Sequence, residues 1–376
     1  MAETYPSTLP KTIKALIYKG PGEPLNVETV PMPTVIPGSV LIKVECINID
    51  PAMGHLLSGK VPGLHTPTPC VPGTRALGRV AATSVDTTLL KPGQLVVAEP
   101  FIRGRDNDLV QFLWGAGVFG GDPAAIKLCE DVWRNGAMAE YALLPLENVH
   151  PLNEEILLEK GFGYSIADLS VLLRQVVAYG GFRGIDLKAG ETVIVAPATG
   201  AYSSAAVEVA SAMGARVIAA SRNLEQLKKI QAANERVEIV QLKGDVQEDL
   251  ASLSKFGTVD AFLDISPAAA NDSTHVRSCI MAVKQYGRIS LMGIINKDIA
   301  VPYVLAVLKN LTIRGQYMYE REDVQGLIKL VESGVLKIGK KLGHKVAHSF
   351  KLEEWEEAFR VASETKDPAD LIVFNP

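Results

Sequence analysis

Residues 193–222 place a strand, a small-residue turn, a helix and a second strand in one short stretch, and this order constrains the fold most. The β-branched run at 193–196 is typical of a strand buried in a parallel sheet. Apolar residues at helical spacing over 204–213 predict a helix that ends at Gly214, and 216–220 predicts the second strand. The stretch therefore predicts a βαβ unit.

The turn that leads into this helix has the composition of an anion-binding loop. Free backbone N–H groups and the helix dipole at such a turn favour the pyrophosphate of a dinucleotide. In the usual pattern G-x-G-x-x-G, the third glycine is replaced by Ser203 and the first by Ala198. A βαβ unit without a ligand is the alternative. The residues expected to bind the cofactor here are Thr199, Gly200, Ala201, Tyr202 and Ser203.

Bulk properties narrow the class of protein. A chain of 376 residues is too long for one ordinary core, so two domains are expected. A formal net charge of −4 provides no basic surface for nucleic acid or anionic lipid. No apolar run reaches the roughly 18 residues that a membrane helix needs, and the polar N-terminus lacks a secretory segment, which favours the cytoplasm. The four cysteines form no C-x-x-C pair, which argues against a disulfide framework and a cysteine-built zinc site.

The pattern of elements changes along the chain. Residues 1–150 are rich in short strands punctuated by Pro and Gly, and 101–135 interrupts them as a lobe or long loop. After Gly163 strands and helices alternate, which predicts a doubly wound parallel sheet. The fold class is therefore α/β, with a separate β-rich domain.

Six motifs in this order resemble the medium-chain dehydrogenase/reductase superfamily, and the resemblance covers nearly the whole chain. It implies a GroES-like β-rich catalytic domain (1–165, completed by 312–376) and a Rossmann NADP-binding domain (166–311). It also implies an active site between the domains and a homodimer that pairs strands near 299–304. The motifs are PGSVLIKVECINIDP, TPCVPGTRALGRVAA, NGAMAEYALLP, LKAGETVIVAPATG, GRISLMG and KLEEWEEAFRVA.

The chain departs from the superfamily pattern at the zinc ligands. Matched residue by residue, the cysteine ligand falls on Asp50, and the histidine and glutamate fall on Thr74 and Arg75. Threonine does not replace imidazole as a zinc ligand, and an arginine repels the metal. The cysteine cluster of the structural zinc lobe is also absent, since 101–135 contains only Cys129. We therefore expect a zinc-independent protein without a metal ligand set.

The sequence D-P-A-M at 50–53 resembles the zinc-independent branch that contains prostaglandin and alkenal double-bond reductases. The longer stretch DPAMGHLLSG also resembles quinone oxidoreductases, and in that register His55 stands where those enzymes have a tyrosine near the nicotinamide. The resemblance thus implies substrate-lining roles for Asp50 and Met53 and makes His55 a candidate proton donor.

The end of the second strand indicates the cofactor. NAD-preferring domains carry Asp or Glu there, but this chain has Ser221 and Arg222. A hydroxyl and a guanidinium bind a 2′-phosphate, which a carboxylate would repel. We therefore expect NADP(H), with Lys228 as a supporting charge; a solvated strand-end arginine is the alternative.

Other candidates follow from position. Arg174 and Gln175 lie near where the superfamily places the residue under the nicotinamide, and both are candidate catalytic residues. Gly293 ends the strand that faces the nicotinamide in the superfamily. Arg75 is expected to form a structural salt bridge with Asp50, orientation of the substrate being the alternative. Trp114, in the 101–135 lobe, and Tyr317 are candidate substrate-lining residues.

These observations predict an NADPH-dependent, zinc-independent reductase that transfers hydride to an activated C=C or a carbonyl of a small organic molecule. The expected partners are a small-molecule substrate and a second copy of the chain, without nucleic acid or membrane. Two alternatives remain: a non-redox enzyme such as an isomerase or cyclase, and a non-catalytic binding protein on the same scaffold.

Overall fold

The structure is a computed structural model that describes residues 9–376; the polar N-terminal residues 1–8 lie outside the described residues. The chain divides into two compact units. Along residues 9–376, no helix combines the length and apolar character needed to cross a bilayer. Unit 1 comprises the chain up to Val171 together with 344–366 and 370–376, and unit 2 comprises Leu172–Gly343 and Asp367–Ala369.

Unit 1 begins with short strands and four short helices. The central strand is β3, which pairs antiparallel with β5 and β10 and is buried along most of its length. The strands are β1 (Thr12–Ile17), β2 (Asn26–Pro31), β3 (Ser39–Asn48), β4 (Leu64–His65), β5 (Ala76–Thr83), β6 (Leu95–Ala98), β7 (Phe101–Arg103), β8 (Gln111–Leu113), β9 (Val118–Phe119), β10 (Tyr141–Pro145) and β11 (Val149–Pro151). The helices are α1 (Met53–Leu56), α2 (Pro123–Asp131), α3 (Glu154–Leu157) and α4 (Ile166–Leu169).

Unit 2 alternates helices and strands. Its central strands are buried along nearly their whole length, as expected of parallel strands covered on both faces. The strands are β12 (Thr192–Ala196), β13 (Arg216–Ser221), β14 (Val237–Gln241), β15 (Val259–Asp264), β16 (Val283–Leu291) and β17 (Thr312–Gly315). The helices are α5 (Leu172–Gly184), α6 (Ala201–Ala212), α7 (Leu224–Ala233), α8 (Val246–Ser254), α9 (His275–Ala282), α10 (Tyr303–Leu308) and α11 (Arg321–Glu332).

The C-terminal segment returns to unit 1 with β18 (Lys345–Phe350), α12 (Trp355–Glu364) and β19 (Asp370–Phe374). Strand β19 lies between β18, to which it is parallel, and β3, to which it is antiparallel. It completes a seven-stranded sheet in the order β11-β6-β5-β3-β19-β18, with β10 also paired to β3. The last residues of the chain are thus part of the core of unit 1.

The sheet of unit 2 has the order β14-β13-β12-β15-β16-β17, with every pair parallel. The chain runs outward from β12 through β13 to β14, then crosses to β15 on the other side of β12. This reversal creates a topological switch point at the carboxyl ends of β12 and β15, where open α/β sheets bind ligands. The predicted doubly wound parallel sheet is confirmed.

Two predicted features differ in the structure. The chain was expected to leave the dinucleotide domain at 312, but residues 312–343 belong to unit 2 because β17 extends its sheet and α11 packs on α5. The segment 299–304, expected to contain a strand that pairs with a second copy, has no strand; it leads into α10. The strand at the nearer edge of the sheet is β17, and β14 forms the other edge.

Candidate functional site

The turn between β12 and α6 is closed by a side chain. The Ser203 hydroxyl accepts the Gly200 N–H at 2.9 Å and donates to the Gly200 carbonyl at 3.3 Å, and only 2% of Ser203 is exposed. The serine at the third glycine position therefore binds inside the turn and does not project outward. Gly200 itself is exposed, and the first N–H groups of α6 have no acceptor within the helix. This end of α6 can hold an anion.

Of the three residues expected to bind the cofactor near the end of β13, Ser221 and Lys228 have partners within the chain and Arg222 has no ion pair in the part of the chain that the structure describes. The hydroxyls of Ser221 and Thr199 lie 2.8 Å apart, and Ser221 is 5% exposed, so this pair ties the turn to the strand. Lys228 binds Glu225 at 2.9 Å. Arg222 is exposed, and its guanidinium makes no ion pair with any residue in the 9–376 range. Arg222 is therefore the cation available to a ligand at this strand end.

A buried polar network lies at the carboxyl end of β15, next to the switch point. His275 Nε2 lies 3.1 Å from Asp264 Oδ1 and 3.0 Å from Ser266 Oγ, and its Nδ1 lies 2.7 Å from Ser273 Oγ. The Ser266 hydroxyl also donates to Asp264. The sequence reasoning missed these residues, although polar side chains directly after a buried strand were a usable signal.

Gly293, expected at the cofactor site, lies against this network. A β-carbon at Gly293 would come within 2.6 Å of Asp264 Oδ2 and 2.8 Å of the Ser266 nitrogen. Only glycine allows the chain after β16 to approach this closely.

In unit 1, Asp50 and Arg75 form a buried ion pair. Arg75 Nη2 lies 2.9 Å from Asp50 Oδ2, and their side chains are 7% and 11% exposed, respectively. The other Asp50 oxygen accepts the Ala52 N–H at 2.9 Å. Arg75 Nε also approaches Thr74 Oγ1 at 3.4 Å. The expected structural salt bridge is confirmed at Asp50 Oδ2, and the Ala52 N–H binds the other oxygen.

Two other candidates, His55 and Met53, lie on the short helix α1 and differ in their exposure to solvent. His55 is exposed, so its imidazole is accessible as a proton donor. Met53 is 2% exposed and packs in the core of unit 1. The side chain of Met53 faces inward from α1, and its substrate-lining role stays a prediction.

The aromatic candidates also differ from one another. Trp114 is fully buried in the core of unit 1, and its Nε1 donates to the Asn135 carbonyl at 2.6 Å. Its substrate-lining role stays a prediction. Tyr317, after β17 in unit 2, keeps 43% of its surface exposed. Burial nevertheless raises the pKa of Tyr317 to about 12, so the phenol keeps its proton as a hydrogen-bond donor.

Arg174 and Gln175 lie on α5 and are buried. The Gln175 amide donates to Glu208 on α6 at 2.9 Å, which bridges the two helices. Gln175 is fully buried, and its catalytic role stays a prediction. Arg174 is 4% exposed on the same helix.

Two family models match the chain, one in each unit. The GroES-like domain of alcohol dehydrogenases matches residues 36–154, and the zinc-binding dehydrogenase model matches residues 203–333. The L-threonine 3-dehydrogenase of Ruegeria pomeroyi is 30% identical over 353 residues, which cover 92% of this chain and 95% of that protein. The chain belongs to the medium-chain dehydrogenase/reductase superfamily. This assignment confirms the GroES-like and Rossmann architecture and makes the chain an oxidoreductase of that type.

Other members of the superfamily are similar over most of their length. An alcohol dehydrogenase of Rhizobium meliloti is 26% identical over 324 residues, 86% of this chain and 89% of that protein. The structure of the alcohol dehydrogenase rspB from E. coli CFT073, in complex with NADH, gives a TM-score of 0.78 at 17% identity and covers 98% of this chain and 100% of that chain. At this identity the likeness establishes the fold alone.

The side chains at the superfamily's zinc position do not fit a zinc ion in this chain. Zinc takes Cys, His and carboxylate ligands, whereas Asp50 is bound to a guanidinium and Thr74 is a hydroxyl. Within residues 9–376, no group of three or more His, Cys, Asp or Glu side chains is placed to hold a metal. The four cysteines are free and buried.

Proposed function

We propose that the protein is an NADPH-dependent oxidoreductase that works without zinc and reduces a carbonyl or an activated C=C of a small organic substrate. The observation that carries this proposal is the exposed, unpaired Arg222 at the carboxyl end of β13, where an NAD-binding domain has an acid. A guanidinium at this position favours a 2′-phosphate. The exposed turn at Gly200 and the N-terminus of α6 suit the pyrophosphate.

The relatives favour one of the two substrate classes. Two relatives of this chain are called L-threonine 3-dehydrogenase and alcohol dehydrogenase, names that describe an interconversion of alcohol and carbonyl. A ketone or aldehyde is therefore the first substrate class to test, and an enone is the second.

The chain's own residues would divide the chemistry among them. When bound, NADPH supplies the hydride. Arg222 and the start of α6 hold the cofactor, and Gly293 leaves room for the chain after β16 to lie close to β15. The neutral phenol of Tyr317, which lies in the same unit as Arg222, would donate a hydrogen bond to the substrate oxygen. His55, exposed on α1 of unit 1, stays a candidate proton donor. No step needs a metal.

Loss of absorbance at 340 nm tests the reaction, with ketones, aldehydes and enones offered in turn. Binding of NADPH without oxidation by any of them favours the non-redox enzyme or the binding protein. Arg222→Ala removes charge-assisted hydrogen bonds and should weaken NADPH binding about ten- to a hundredfold while NADH binding stays constant. Lys228→Ala is the matched control, and because Lys228 is already paired with Glu225 we expect a smaller change. Equal effects of Arg222→Ala on both nucleotides would contradict the cofactor proposal.

We also propose that two copies of the chain associate through the edge of the unit 2 sheet. Strand β17 is mostly exposed, and exposed strand edges pair readily with another strand. Next to it in sequence, α10 exposes Tyr303 (77%) and Leu308 (72%). Sedimentation velocity should give a dimer for the natural chain and a monomer for Leu308→Asp. A monomeric natural chain would rule this interface out.

A further inference from the structure

The loops that follow β15 and β16 are joined beyond the ends of the strands. The Met292 N–H donates to the Asp264 carbonyl at 2.8 Å, and the Ile294 N–H donates to the Ser266 carbonyl at 2.9 Å. Further out, the Asn296 N–H donates to the side chain of Asn271 at 2.9 Å. The two loops are therefore tied to each other, and the position of the Ser266 carbonyl constrains where the Ile294 N–H lies.

Ser266 is fixed in turn by its side chain. Its hydroxyl donates to Asp264 and also lies 3.0 Å from His275 Nε2. An ionised Asp264 only accepts, so the proton between it and His275 lies on Nε2, and Ser273 then donates its hydroxyl to Nδ1. Asp264, Ser266 and His275 are each 2% exposed. Every polar atom of the imidazole thus has a partner inside the protein.

The burial and bonding pattern exclude hydrolytic chemistry at this Ser–His–Asp group. In a catalytic triad the carboxylate binds the imidazole nitrogen opposite the serine, but here Asp264 and Ser266 lie at the same nitrogen. The serine is also inaccessible to a substrate. The role that remains for these three side chains is to hold the backbone of the loop that follows β15.

The position of this network at the carboxyl end of β15 indicates which part of a bound cofactor the held backbone would contact. The pyrophosphate turn follows β12, and the ribose of the ADP half is bound at the end of β13, on one side of β12. The other nucleotide half consequently lies toward β15 and β16, on the opposite side. The loops that His275 holds begin at the ends of these two strands.

We propose that His275 is a positioning residue for the nicotinamide half of the cofactor. Through Ser266 it holds residues 264–266 and 293–294 in the arrangement against which that half binds, and this inference rests on the proposed function. Buried polar groups such as the Asp264 carboxylate, the His275 imidazole and the Ser266 hydroxyl often stabilise a fold no more than well-packed apolar side chains would. Their hydrogen bonds do fix one geometry of the backbone at the carboxyl end of β15.

Binding of the two halves of the cofactor separates positioning from general stability. We would titrate the full chain and its variants with NADPH, reduced nicotinamide mononucleotide and 2′,5′-ADP; 5′-ADP replaces the last if the natural chain prefers NADH. Ser266→Ala should weaken binding of NADPH and of the mononucleotide about tenfold and leave 2′,5′-ADP binding within about twofold. Ser278→Ala is the matched control, because Ser278 is also a buried serine, on α9, and its hydroxyl bonds only the Thr274 carbonyl.

Two His275 variants test which nitrogen matters. In His275→Gln the amide nitrogen lies near the former position of Nε2 and keeps the contact with Ser266. In His275→Asn the amide nitrogen lies near the former position of Nδ1 and keeps the contact with Ser273. We expect His275→Gln to retain most NADPH affinity and His275→Asn to lose it as Ser266→Ala does. The positioning role alone would be overturned if Ser266→Ala weakened binding of both nucleotide halves equally. It would also be overturned if Ser266→Ala and Ser278→Ala changed the binding affinities to the same extent. A natural chain that binds neither NADPH nor NADH would overturn the proposed function together with this inference.

Discussion

Removal of Arg75 from its buried ion pair should destabilise unit 1 strongly. In Arg75→Met a side chain of similar length remains, but the carboxylate of Asp50 loses its cation. Because both side chains are nearly inaccessible to water, solvent does not replace the lost partner. The perturbation therefore reports on a buried charge rather than on lost packing.

The magnitude follows from burial and from the bonds that remain. Loss of one partner of a buried pair lowers stability by about 3–5 kcal/mol. Two charges about 4 Å apart interact by about 4 kcal/mol at an effective dielectric constant of 20, which agrees with this range. Asp50 keeps its bond from the Ala52 N–H, so the lower end, about 3 kcal/mol, is expected. The double variant Asp50→Asn/Arg75→Met should recover most of the loss.

Tryptophan fluorescence gives an assay that reports on unit 1 alone. All three tryptophans of the chain, Trp114, Trp133 and Trp355, lie in that unit. Urea unfolding followed at this signal yields the free energy of unfolding for the two single variants and the double variant. Arg360→Met, which removes an arginine from an exposed cluster on α12, is the control and should leave the transition unchanged within error.

A coupling energy close to zero between Asp50 and Arg75 would refute this reasoning. So would an Arg75→Met protein as stable as the natural chain. If stability were kept while the turnover of substrate fell, Arg75 would belong to the substrate-binding residues, which is the alternative that the sequence left open.

Two more predictions concern the metal position and the thiols. The triple variant Asp50→Cys/Thr74→His/Arg75→Glu supplies a zinc ligand set. Metal analysis should therefore find about one zinc per chain in the variant and almost none in the natural protein. Stoichiometric zinc in the natural protein would contradict the zinc-independent proposal. Burial raises the pKa of Cys46, Cys70 and Cys129 to about 12, from 9.0. The thiols ionise first in the unfolded chain, so their contribution to stability is complete below pH 9 and lost as the pH rises toward 12. Urea midpoints at pH 8 and pH 10.5 should differ less for Cys70→Ala than for the natural chain, and equal differences would contradict this.

Local periodicity was sufficient to predict the nucleotide unit. The expected strand at 193–196 and helix at 204–213 correspond to β12 (Thr192–Ala196) and α6 (Ala201–Ala212). The spacing of apolar residues within each of these segments is enough to predict the segment as a strand or a helix, without knowledge of distant contacts. The pairing of Asp50 with Arg75 was also predictable, because opposite charges replaced two ligands of a single site.

Contacts made through loops were not predictable in this way. Ser266 and His275 meet because the chain after β15 turns back onto the start of α9, and no spacing in the sequence specifies that turn. The inward direction of Trp114 and Met53 also depends on packing within unit 1, since an aromatic residue in a lobe and a methionine in a four-residue helix have no periodicity to orient them. The contact of Ser221 with Thr199 was not predictable either, because Thr199 lies on another element.

The ion pair at the former metal position also bears on which substrates the chain can use. A metal ion contributes several kcal/mol by polarising a substrate oxygen, and Arg75 is committed to Asp50 instead. Under the proposed function, polarisation then falls to neutral hydrogen-bond donors, which provide less. An unactivated alcohol, which must lose its proton before it gives up a hydride, needs the stronger polarisation. An electrophilic carbonyl or enone needs less, so the zinc-independent reaction that we propose is a reduction of activated substrates rather than an oxidation of simple alcohols.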